Sequence, residues 1–204
     1  AGATIGHGLG AAPKCVIIKR TDTTSNWIFT NAALGFNKFL YLNATNTVQT
    51  NSGTFNDTAP SSSVITLGTW NDVNNSSGTY VAYAFAEKTG FSKFGKYTGN
   101  GNDNGAFVYT GFKPAFVLSK NTNTDGEWWV INDNKRNPHN IVDKDLFSNN
   151  SNVEAVHSRQ DFVSNGFKFR STANNSNKNG DEYVYMAFAE NPLVGSNNIP
   201  ALAR

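Results

Sequence analysis

Two stretches of this 204-residue chain repeat each other, and that constrains the fold more than anything else in the sequence. Pro13-Lys14-Cys15-Val16-Ile17-Ile18-Lys19-Arg20-Thr21 matches Pro114-Ala115-Phe116-Val117-Leu118-Ser119-Lys120-Asn121-Thr122 at a shift of 101, which also sets Trp27 on Trp128. Tyr80-Val81-Ala82-Tyr83-Ala84-Phe85-Ala86-Glu87 matches Tyr183-Val184-Tyr185-Met186-Ala187-Phe188-Ala189-Glu190 at a shift of 103. Two copies of one unit therefore occupy about 1–87 and 91–190, ahead of a C-terminal tail, 191–204.

Both copies read as strands. Val16–Ile18, Trp27–Phe29, Phe39–Leu42, Val64–Leu67 and Tyr80–Ala86 are short β-branched and aromatic runs bounded by Asn, Gly, Ser, Thr or Asp. Ala106–Tyr109, Phe116–Leu118, Trp128–Ile131, Phe167–Phe169 and Tyr183–Ala189 continue the pattern. No segment keeps a helical apolar period for three turns, and Asn137–Ser148 is the one place where a short helix is expected. The expected class is all-β, a β-sandwich or jelly roll with an internal twofold repeat, spanning 1–190 as one domain. Two tandem small sandwiches are the alternative. Tyr80–Ala86 and Tyr183–Ala189 are apolar on both faces, so both are expected to be central strands covered on both sides. Trp27 and Trp128, matched by the repeat, are expected in the core, with Trp129 turned outward.

The copies differ at their openings. Phe91-Ser92-Lys93-Phe94-Gly95-Lys96-Tyr97-Thr98-Gly99 precedes Ala106, whereas only Thr4 to Leu9 precedes Pro13. The first copy thus lacks its opening strand. The expected reason is that the chain is the C-terminal piece of something longer, and the alternative is a strand supplied by a neighbouring subunit.

Composition and motifs argue against most chemistry. Net charge is +2 with 16% charged residues, which gives no basic field for nucleic acid. No apolar run approaches the roughly 20 residues of a membrane span. One cysteine, Cys15, excludes an internal disulfide, and in its apolar run it reads as a small buried hydrophobe. Gly90 to Tyr97 falls one residue short of a P-loop and alternates like a strand. His7, His139 and His157 lack metal-ligand spacing, and the Asn100–Gly105 loop carries one carboxylate, too few for calcium. No nucleophile elbow occurs, and no two of the five glutamates sit two or four residues apart on one strand face, as a pair of glycosidase carboxylates would. No catalytic residue, metal or cofactor is expected.

Two polar clusters remain as candidate binding sites. Trp70, Asn71, Asp72 and Asn74 combine an indole with amides and a carboxylate, the mixture a glycan needs, and Trp70 falls on Ala173 in the other copy. Asp133, Arg136, Asn137 and His139 form a second cluster found only in the second copy.

The ordered blocks also carry a resemblance. Gly6-His7-Gly8-Leu9-Gly10, Lys19-Arg20-Thr21-Asp22, Phe39-Leu40-Tyr41-Leu42-Asn43, Asn56-Asp57-Thr58-Ala59-Pro60, Gly78 to Tyr83, Phe91 to Gly101, Gly111-Phe112-Lys113-Pro114 and Phe162 to Lys168 follow in a characteristic order. In order and spacing the chain resembles a C-terminal domain of predicted virion proteins of marine tailed bacteriophages, tail-fibre-like or structural. The resemblance implies a concanavalin-like β-sandwich on a phage surface, and the stretch from Asn191 to Arg204 resembles that family's ending. It implies no catalytic or binding residues. The family's usual opening strand, ending in Tyr-Thr-Gly-Asn-Gly, is absent here. The implied function is a non-enzymatic fibre, spike or decoration module at the virion surface, outside the cell. Its expected partners are other virion subunits, with assembly as a homo-oligomer, and a host-surface glycan. Neither nucleic acid nor membrane insertion is expected. The alternatives are a stand-alone lectin-like domain and, more remotely, a polysaccharide-degrading enzyme.

Overall fold

The apolar runs become strands because β-branched and aromatic side chains suit a pleated, half-buried surface, and the Asn- and Gly-rich segments between them turn the chain. The computed structural model describes residues 3–190, so the tail 191–204, with its expected family ending, lies outside the described residues. Strands β1 (Thr4–Gly6), β2 (Cys15–Arg20), β3 (Trp27–Asn31), β4 (Lys38–Tyr41), β5 (Gln49–Thr50), β6 (Val64–Thr66) and β7 (Tyr80–Phe85) belong to unit 1, Ala1–Ala86. Strands β8 (Ser92–Thr98), β9 (Phe107–Tyr109), β10 (Pro114–Asn121), β11 (Val130–Asp133), β12 (Val142–Phe147), β13 (Ala155–Val163), β14 (Gly166–Phe169) and β15 (Glu182–Ala189), with the one-turn helix α1 (Asn174–Asn177), belong to unit 2, Glu87–Arg204. All pairings are antiparallel and the class is all-β.

In unit 1 a sheet ordered β5-β4-β3-β2-β7 faces the β1-β6 pair. Val16, Ile18, Ile28 and Phe39 from the sheet meet Ile5 and Ile65 from the pair, with Phe55, Leu67 and Val73 from the loops. In unit 2 one eight-stranded sheet, β8-β15-β10-β11-β12-β13-β14-β9, bends so that its two parts face each other. Tyr97 of β8 thereby stacks on Phe169 of β14, six places away in the sheet, within a core that includes Val117, Phe162, Phe167 and Tyr185. Each core is a sandwich interior of the usual kind.

Ladder registers correspond between the units. Val16 pairs Ala84 and Val117 pairs Ala187; Ile28 pairs Tyr41 and Val130 pairs Phe147; Ile5 pairs Ile65 and Val108 pairs Phe167. The correspondence fixes counterparts residue by residue. Lys19 pairs Trp27, while Ser119 pairs Val130, so the counterpart of Trp27 is Trp129 rather than Trp128. The side chain of an asparagine marks the same place: Asn43 Oδ1 accepts from Trp27 N at 2.8 Å and Asn149 Oδ1 from Trp129 N at 3.0 Å. Trp129 is accordingly fully buried and Trp128 only half-buried, the reverse of the sequence expectation. The error was a register slip of one residue, which exchanges strand faces.

Two further expectations change. Asn137–Ser148 holds β12, not a helix. β15 is central and buried as expected, but among the described strands β7 is an edge strand: Tyr83 is 45% exposed where its counterpart Met186 is 5% exposed. The difference is β8, which covers the second edge of β15 and has no counterpart among the described strands of unit 1.

The turns are clamped by asparagine. Side-chain oxygens of Asn31, Asn51, Asn75, Asn100 and Asn121 each accept from the amide two residues on, at 2.8–3.1 Å. These Asx turns account for part of the 30 asparagines in the chain.

Candidate functional site

The first candidate cluster is built into unit 1. The Trp70 ring packs on Phe39 at 4.9 Å and Tyr41 at 6.4 Å and joins the core. Asp72 Oδ1 accepts from Ser25 Oγ at 3.0 Å, and Asn71 Oδ1 from Asn75 Nδ2 at 3.1 Å. Asn74 Nδ2 donates to Gly68 O at 2.7 Å, and its counterpart Asn177 donates likewise to Ser171 O at 2.8 Å. That shared bond marks Asn74 as a clamp of the loop before the last strand. Each polar side chain of the cluster thus has a partner within the scaffold.

The second cluster occupies the β11–β12 connection, which is longer than the β3–β4 connection of unit 1. Asp133 accepts from Arg136 Nε at 2.7 Å and from the amides of Lys135 and Arg136. These bonds hold the Asp133 carboxyl below its ordinary range, against the opposing effect of burial. Arg136 also donates to Ile131 O, and Asn137 is bonded to Asp143 and to the Lys144 amide. His139 stands exposed in the same connection. The arrangement braces a long loop.

A third arrangement, in unit 2, was not expected. β11 begins one residue after Trp129, so its entry presents Glu127 and Trp128 at the sheet end. β13 brings His157, and the turn of α1 brings Asn174 and Asn175. Together with Gly126 they line an open depression of about 260 Å³. Trp128 rests on Phe147 at 4.7 Å and meets the His157 ring edge-on at 6.1 Å. The two units thereby cover one ladder position with different indoles: Trp70 lies over Tyr41, and Trp128 lies over Phe147, the counterpart of Tyr41. Where unit 1 has Trp70 unit 2 has Ala173, and where unit 2 has Trp128 unit 1 has Asn26.

The polar groups of this depression divide into fixed and available ones. Asn175 is buried, and its Oδ1 accepts from Ser158 Oγ at 2.9 Å. Among the described residues, the Glu127 carboxylate, the side-chain amide of Asn174 and the His157 ring nitrogens make no hydrogen bond, while the Asn174 carbonyl accepts from Tyr183 and Asn121. Behind them lies a buried polar string. Asp145, fully buried, accepts from Asn132 Nδ2 at 2.7 Å and from the amides of Ser158 and His157. Gln160 donates to Asn132 Oδ1 at 2.7 Å. Burial pushes the Asp145 carboxyl up despite these donors.

Burial also raises the Glu127 carboxyl, opposed by Lys120 and Lys178. Lys120 is fully buried, its Nζ donating to Asn121 O at 2.8 Å, and burial pushes it down to about 8, opposed by Glu127 and Asp125. Cys15 is fully buried and burial raises its thiol, so it has the surroundings of an inert thiol. Among the described residues no three His, Cys, Asp or Glu side chains gather to hold a metal ion, and no helix is long and apolar enough to cross a membrane.

A family model matches residues 1–192. The chain belongs to DUF7483, a domain of unknown function. The DUF7483 match runs through both units, so the family unit is the pair and not the single copy. No curated protein and no solved structure matches the chain.

Nothing in the sequence flagged Glu127, His157, Asn174 or Asn175. The available signal was the Trp128-Trp129 dipeptide: neighbours on a strand point to opposite faces, so only one could be core.

Proposed function

We propose that the chain is a non-enzymatic module of a virion surface and touches a host-surface glycan at the Trp128 depression of unit 2. The observation that carries the glycan reading is the contrast between the two tryptophan clusters. Around Trp70 every polar side chain is bonded within the scaffold, and the indole is part of the core. Around Trp128 a half-buried indole stands beside a carboxylate, a side-chain amide and an imidazole that have no hydrogen-bond partner among the described residues. An apolar ring surface with a few convergent polar groups suits a sugar, whose faces are apolar and whose hydroxyls need directed partners.

The virion reading rests on the ordered sequence blocks. Two units of antiparallel sheet, with many turns clamped by neutral asparagine side chains, suit a fibre, spike or decoration part, assembled as a homo-oligomer with other virion subunits outside the cell.

The test of the glycan contact is retention of the purified chain on a glycan array. Trp128→Ala should cut retention at least tenfold with the circular dichroism unchanged, and equal retention by wild type and variant would sink the contact. For the location, an antibody to the chain should decorate intact particles. Label confined to the soluble fraction of a lysate would count against a virion part.

A further inference from the structure

Among the described residues β15 is paired on both edges and β7 on one, and the difference comes with a cavity. The carbonyls of Thr79 and Phe85 accept from Thr21 and Lys14 on the β2 side. In an antiparallel ladder the groups of alternate residues face opposite edges, so Tyr80, Ala82 and Ala84 turn their N–H and C=O away from β2. In unit 2 the counterparts Tyr183, Tyr185 and Ala187 face β8, opposite Tyr97, Gly95 and Lys93.

Beneath that edge of β7 lies a cavity of about 230 Å³ lined by Ile5, Ile18, Leu67, Val73, Tyr80 and Ala82. Their counterparts by register and loop alignment are Val108, Ser119, Phe169, Ser176, Tyr183 and Tyr185. In unit 2 these residues surround one side chain, Tyr97 of β8. Its ring stacks on Tyr183 at 4.8 Å and on Phe169 at 5.0 Å and lies 6.3 Å from Tyr185. Its hydroxyl donates to Ser176 O at 2.8 Å. The space that a β8 aromatic fills in unit 2 is the cavity of unit 1. Apolar cavities of about 150 Å³ already accept a benzene ring, so this one has room for a phenol.

We infer that unit 1 binds an added strand along β7: an extended, antiparallel segment with the residue pattern of β8, whose aromatic at the Tyr97 position enters the cavity. β8 of the chain is engaged with β15, so the occupant is a separate segment of the same chemistry. Main-chain bonds to Tyr80, Ala82 and Ala84 would hold the strand, and the ring pocket would select it, the usual division in β-augmentation. Addition would also close an edge that exposes Tyr83.

A nine-residue peptide with the sequence of residues 91–99 tests this on the full chain. The probe carries Gly95→Ala, because a Cβ at Gly95 would lie 3.0 Å from the Tyr185 ring on β15, whereas on β7 the facing residue is Ala82. Hydrogen exchange over 80–85 should slow at least tenfold with peptide, and exchange over 182–189 should not change. Changing the peptide's tyrosine by Tyr97→Ala should abolish the effect. Ala84→Pro in the chain removes an outward-facing N–H and leaves the β2 ladder intact, so that variant should fold and ignore the peptide. No slowing at 80–85 with peptide in excess would overturn the inference. So would equal slowing by the Tyr97→Ala peptide. A chain that alone scatters light as a dimer, with 80–85 already protected, would make a second copy the occupant and would overturn it as well.

Discussion

Tyr80 and Tyr183 close the same loop in the two units by the same pair of hydrogen bonds. The Tyr80 hydroxyl donates to Asn71 O at 2.6 Å and accepts from Asn75 N at 2.7 Å. The Tyr183 hydroxyl donates to Asn174 O at 2.7 Å and accepts from Lys178 N at 2.8 Å. Both therefore reach back nine and five residues. Tyr183 also accepts from Asn121 Nδ2 and is fully buried, whereas Tyr80 borders the unit 1 cavity. Tyr183→Phe should cost about 2 kcal/mol and Tyr80→Phe about 1 kcal/mol, since a lost partner costs most where water cannot replace it. Denaturant melts of the two variants check the order, and a larger loss for Tyr80→Phe would contradict it.

Trp70 and Trp128 should separate stability from retention. Trp70→Ala removes an indole packed on Phe39 and Tyr41 and should cost about 3 kcal/mol of unit 1 stability. Retention of glycan per folded molecule should not change. Trp128→Ala should do the opposite, and both quantities can be read on the same preparations.

Lys120 gives a pH dependence with a definite sign. Its folded value of about 8 lies below its ordinary 10.5, so between those values the unfolded chain binds more protons. Stability contributed by Lys120 therefore rises with pH across that window, and below about 8 the full cost of its buried charge is present. The swing approaches about 3 kcal/mol at most. Tyr97, Tyr183 and Tyr185 are all raised, so their contributions fall once the pH passes their ordinary value of 10.0. Melts at pH 7.5 and 9.5 should show wild type gaining and Lys120→Met showing less gain.

Asp145→Ala should be among the most damaging single changes in unit 2. It strands two backbone amides and the Asn132 side chain in a fully buried place, at a cost of about 3 kcal/mol or more. The counterpart position in unit 1 is Phe39, packed against Trp70, so unit 1 has no such string to break. Hydrogen exchange should show opening confined to unit 2.

Strand positions with strong β propensity were legible in the sequence. β2, β3, β10 and β15 follow from runs such as Val16-Ile17-Ile18 that few other structures would accommodate. β13 was not legible, because Ala155–Val163 alternates around His157, Arg159 and Asp161, and its inward side chains include Ser158 and Gln160. Those inward polar groups are stabilised by the Asp145 string, a tertiary arrangement that local pattern does not encode. Trp70 looked functional because the second copy lacks a tryptophan there. The register shows two indoles exchanged between loops over one aromatic position, which requires the one-residue step that separates Trp27–Trp129 from Trp27–Trp128.

The asparagine clamps have a consequence for where such a surface can work. A neutral amide accepting a backbone N–H involves no counterion, and dissolved salt screens charge, not amide dipoles. Loops held this way at Asn31, Asn51, Asn75, Asn100 and Asn121 should keep their shape from dilute buffer to concentrated brine. The weakness moves from electrostatics to covalent ageing. Asn100-Gly101 and Asn104-Gly105 combine the residue most prone to cyclise onto the next backbone nitrogen with the neighbour that least obstructs it. The durability of this chain in salt is thus coupled to a slow chemical clock in its own turns.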